Sequence, residues 1–150
     1  MQRFYSPIVL VASIASILVL TAIVVAWRTR STSRRSRGGT LLAASPALVM
    51  VVLFYSLALH MHHTLGGWPS AIGEAGFPPW LITHSHIAAW LLEILVLLAM
   101  FAWPLVLLLC LMVRRWRGFV YYLAVYAVSC LVCFGLLSLA PAPFLNWWWD

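Results

Sequence analysis

A bundle of four transmembrane helices is the fold class this 150-residue sequence predicts, and three observations carry it. Apolar residues make up 65% of the chain and charged residues 8%, against about 25% charged in soluble domains. Mean hydropathy is +1.01. The basic residues are all arginines, and apart from Arg3 they stand in two groups, Arg28, Arg30, Arg34, Arg35 and Arg37, then Arg114, Arg115 and Arg117. Tryptophans mark the same boundaries: Trp27 and Trp116 beside the arginines, Trp68, Trp80 and Trp147 to Trp149 at the other ends of the apolar runs. Aromatic residues of this kind collect at membrane–water interfaces.

The apolar runs are 8–27, 41–59, 87–113 and 118–140. Each suffices to cross a hydrocarbon core of about 30 Å, which takes about 20 helical residues. The chain therefore reads as a single membrane domain with no room for a separate soluble one. Arg3 before an apolar run resembles the start of a secretory leader, but the run exceeds the usual length of about 7 to 15 residues and lacks a small-x-small cleavage site. It is expected to be a retained helix. Small residues at Ala12 and Ser16 suit close helix packing there. Pro46 is expected in the first turns of the second helix, and Pro104 inside the third, where it removes a hydrogen bond and disturbs the helix. In the fourth, Tyr122, Tyr126, Ser129 and Cys133 share one face, expected to look into the bundle.

Basic residues stay on the cytoplasmic side. Loops 28–40 and 114–117 are thus expected to be cytoplasmic, which puts both termini and the connection 60–86 outside. The net charge of +6 is explained by this topology and by contact with an anionic lipid surface, so no nucleic-acid partner is expected. The exclusive use of arginine over lysine suggests a GC-rich bacterial genome and hence an inner membrane, with the histidine-bearing loop periplasmic. That loop contains four glycines, three prolines and two tryptophans between residues 61 and 84, too irregular for a long helix and too apolar for a free aqueous segment. It is expected to fold onto the outer interface, with Glu74 as its one formal charge.

All five histidines cluster at this end. His60, His62 and His63 close the second span and His84 and His86 open the third, so antiparallel neighbours would bring the two groups to one level. Neutral imidazole ligates Zn, Cu and haem iron, which makes the five a candidate metal or haem site. Hydrogen bonding and helix capping at an interface are the simpler role, and no spacing matches a motif with a defined mechanism.

Glu93 is the other singular residue, a carboxylate two turns inward from His86 in a stripe with Trp90, Leu97, Met100 and Pro104. Intramembrane carboxylates are costly and face protein or water. Ser13, Ser56, Cys133 and Ser138 are the expected hydrogen-bond partners, and Glu93, Ser56 and Cys133 form a candidate proton or cation relay. Enzyme signatures are missing from the sequence: no paired carboxylates, no GxSxG, no phosphate loop. Cys130 and Cys133 form a CxxC, but within an apolar helix it lacks the accessible, electropositive setting of a redox pair. The function expected is a non-catalytic subunit or assembly factor that packs on a membrane-protein partner or on copies of itself. A metal or haem protein and an oligomeric channel or transporter built on Glu93 are the alternatives.

Overall fold

A computed structural model describes residues 36–69 and 73–150. The first predicted span, with Ser13 and the Ala12/Ser16 pair, and Arg28, Arg30, Arg34 and Arg35 lie outside the described residues. Within them the chain is all-helical, with no strand. Helix α1 runs Arg37–Leu65. Helix α2, Pro79–Leu97, passes through a π turn, Leu98–Ala102, into α3, Trp103–Met112. A 3-10 segment, Arg114–Phe119, leads to α4, Val120–Leu137, and α5 is Ala142–Trp149. Three helical stretches, Arg37–Leu65, Pro79–Met112 and Arg114–Leu137, are long and apolar enough to cross a membrane, which is compatible with an integral membrane protein.

The boundaries depart from the expected ones for local reasons. Residues 37–40 and 60–65 are helical where loop was expected, so Pro46 falls in the interior of α1 and not in its first turns. Ser36 starts this helix early: its hydroxyl accepts from Gly39 N–H at 3.4 Å and its carbonyl from Thr40 N–H at 3.2 Å, an N-terminal cap. At the other end Gly66 adopts φ +69, the left-handed conformation in which helices commonly stop. The connection 60–86 thus shrinks to 66–78. Its described end is a turn in which Phe77 N–H donates to the Glu74 carbonyl at 3.0 Å and Gly76, at φ +84, takes the position that needs positive φ. Pro79 sits in the first turn of α2, where a missing N–H costs nothing. Pro104 disturbs its helix through the π turn just before it, where Trp103 N–H reaches back to Leu98 O.

The chain divides into two compact units. One holds residues 36–44 and 97–128, including Arg37, Arg114, Arg115 and Arg117, all exposed. Its core is Trp103, Leu107, Cys110, Val120 and Ala127. Trp103 buries its ring here and donates its indole N–H to Leu123 O at 2.9 Å, so no polar atom of it is left unanswered. Ser36 N–H donates to the Tyr122 hydroxyl at 3.2 Å, and the Tyr122 ring lies directly on Gly39: a Cβ there would come within 2.7 Å of it.

The other unit holds residues 45–96 and 129–150 and contains every histidine. Its centre is aromatic. Phe54, fully buried, meets Phe144 and Trp148 edge-on at centroid distances of 5.0 and 5.2 Å. Phe144 belongs to α5, which the sequence reading missed, and Trp147 of the same helix donates to Gly73 O at 2.9 Å. Tyr55 ties α1 to the end of α4 through Leu136 O at 2.7 Å. Of the α4 face, Cys133 is buried and Tyr122, Tyr126 and Ser129 are half-buried.

The neighbouring glycines Gly38 and Gly39 provide a test of the Tyr122 contact. Gly39→Ala is expected to destabilise by about 1 to 3 kcal/mol through overpacking. Gly38→Ala meets only ordinary contact at 3.6 Å and is expected to be neutral or stabilising. Thermal unfolding of both variants in the same detergent makes the comparison.

Candidate functional site

The histidine unit joins several of its polar side chains in two small networks and leaves Glu93 outside both. The first network joins α1 to α2. His60 and His84 stand equally far from their ends of the 66–78 connection, so an antiparallel pair sets them level. Their Nδ1 atoms are 3.1 Å apart, and His84 Nε2 is 3.2 Å from Ser56 Oγ. Ser56 Oγ also lies 2.9 Å from Leu53 O, and a carbonyl only accepts, so the single hydroxyl hydrogen of Ser56 points there. Ser56 must then accept from His84, which fixes the proton of neutral His84 on Nε2 and leaves its Nδ1 as the acceptor for His60 Nδ1–H. The chain has one direction, His60 to His84 to Ser56 to the Leu53 carbonyl. A proton added at His60 Nε2 leaves every bond in place. One added at His84 Nδ1 sets two N–H groups against each other and breaks it.

The second network fastens the turn to α2. Buried Ser85 places its hydroxyl 2.6 Å from Glu74 Oε1 and 2.8 Å from Ile82 O, the shorter contact falling in the range of a charge-assisted bond. His86 Nε2 stands 3.4 Å from Glu74 Oε2. Nothing in the sequence linked Glu74 to Ser85, because the turn that joins them is set by glycine conformations and not by any regular spacing.

The five-histidine site is therefore not assembled as expected. Convergence of His84 and His86 required Ser85 to be in a loop, but α2 begins at Pro79, and residues two apart on a helix point about 200° apart. One turns to His60 and the other to Glu74. His62 packs on Trp68 at 4.7 Å, and His63 is exposed. Among the described residues no group of three or more His, Cys, Asp or Glu side chains is arranged to hold a metal ion.

Glu93 also departs from expectation. It is exposed, and among the described residues it makes no hydrogen bond or ion pair. Ser56 is engaged with Leu53 and His84, Ser138 donates to Phe134 O at 2.9 Å and Cys133 is buried; among the described residues no hydrogen bond joins any of them to Glu93. Around Glu93 the surface is apolar: Trp90, one turn before, is 71% exposed, and Val96, one turn after, 42%. Depth follows from the register of the first network. Glu93 lies about 14 Å beyond His84 along α2, level with about residue 51, the middle of α1.

Compared with protein-family models, curated proteins and solved structures, the chain matches none. Any functional reading rests on its own residues.

The direction of the histidine chain is checked by 15N NMR of histidine-labelled protein. His84 is expected as the Nε2–H tautomer and His60 as Nδ1–H. Ser56→Ala is expected to release the His84 tautomer and to destabilise by about 1 kcal/mol.

Proposed function

We propose that the chain is a non-catalytic subunit or assembly factor of a membrane complex, and that it docks its partner through the α2 face bearing Glu93. The observation that carries this reading is an exposed carboxylate at mid-helix on an apolar surface. In water such a residue needs no explanation. In hydrocarbon an ionised acid costs about 3 kcal/mol at the centre of a helix, and such residues face protein or water. The polar groups of Ser56, Ser85 and Trp103 are answered internally, so Glu93 and exposed Trp90 are the groups a partner would complete.

In this reading the protein has four spans, the first over residues 8–27, with the arginine groups at the anionic cytoplasmic surface and both termini outside. The histidine-bearing end then faces the periplasm of a bacterial cell, and the membrane is the inner one. The positive-inside bias of the arginines supports that orientation. The metal or haem reading, with Zn, Cu or haem iron, draws less support, since only His60 and His84 meet. A channel or transporter built on Glu93 requires several copies around it, because a single carboxylate on an outer face encloses no path.

The test is purification from native membranes in mild detergent. Trp90→Ala is expected to remove a co-purifying polypeptide while the chain stays inserted and helical. An unchanged set of co-purifying bands contradicts the reading.

A further inference from the structure

This inference rests on the reading that the Glu93 face docks a membrane partner, and it concerns the chemistry of that partner. The geometry points to a transmembrane helix of a different polypeptide, carrying an arginine or lysine at the depth of Glu93. Two side chains on one face make the receptor: the Glu93 carboxylate, and one turn away the indole of Trp90, 71% exposed. A carboxylate pairs with a cation through charge-assisted hydrogen bonds, and a tryptophan face attracts the same cation. Either alone is commonplace; together on an apolar helix they match a basic side chain and nothing apolar.

Among the described residues no cation stands at the depth of Glu93. Its sequence has no lysine, and the described arginines are Arg37, Arg114, Arg115 and Arg117, all at the ends of the spanning helices. The apolar run 8–27 contains no arginine, lysine or histidine. A second copy related by a two-fold axis along the membrane normal brings equal depths together, so it would set Glu93 against Glu93 and supply no cation. Charge complementarity therefore selects a foreign helix over a second copy.

The experiment places the full chain in phosphatidylcholine vesicles with a synthetic Leu/Ala transmembrane peptide of about 24 residues, bearing either one central Arg or Leu in its place, and reads association by energy transfer. The Arg peptide is expected to bind about tenfold more tightly than the Leu peptide. Glu93→Gln and Glu93→Leu, exposed substitutions that leave the helical signature intact, are expected to erase that preference. Trp90→Ala is expected to weaken both peptides. Equal binding of the two peptides overturns the inference, and if Trp90→Ala still weakens both, the docking reading survives it. Glu93-dependent self-association that the Arg peptide does not displace assigns the face to a second copy and also overturns it. If neither peptide binds, the inference and the docking reading both fall.

Discussion

Polar groups that leave water must find partners in the protein, and this constraint shapes most of the described structure. An unmade hydrogen bond in an apolar setting costs more than the bond itself contributes. Trp103 buries its ring and Trp147 half-buries its own, and they hand their N–H groups to the carbonyls of Leu123 and Gly73. Tyr55 does the same to Leu136. Serines bond backwards along their own helices, Ser56 to Leu53 and Ser138 to Phe134. The tryptophan and tyrosine contacts also fix a helix or turn against its neighbour, so satisfying polar atoms and setting the packing are one event.

The histidine chain and the Glu74 turn are the strictest cases. Four groups, His60, His84, Ser56 and the Leu53 carbonyl, leave only one arrangement of hydrogens for the neutral pair. The Glu74 carboxylate then holds the turn to α2 through Ser85, with His86 beside it. Both networks lie in the unit whose aromatic centre contains Phe54 and Phe144. The described ends of the 66–78 connection are thereby held by polar contacts and by ring packing.

Hydropathy made the spanning helices legible, because a stretch of apolar residues long enough to cross a bilayer has few other readings. Their ends were not legible. His60 to Leu65 is polar enough to look like a loop, yet it contains no helix breaker before Gly66, and the helix continues. A second shift, at the start of α2, decides the site: with α2 beginning at Pro79, His84 and His86 are helical and diverge. α5 escaped notice because eight residues with two prolines nearby carry little periodic signal. The exposure of Glu93 was beyond the sequence as well, since a stripe of residues names a face without saying what lies against it.

Glu93 does not follow the pattern of Trp103, Trp147, Tyr55, Ser56 and Ser138, and the functional account depends on it. A photo-reactive residue at Val96, one turn from Glu93, tests that dependence directly in the native membrane. Val52, 67% exposed on α1, serves as the control position. One discrete adduct between this 16.8 kDa chain and a different polypeptide is expected, formed from position 96 and not from position 52. Adducts to lipid alone, or to a second copy of the chain, would contradict it.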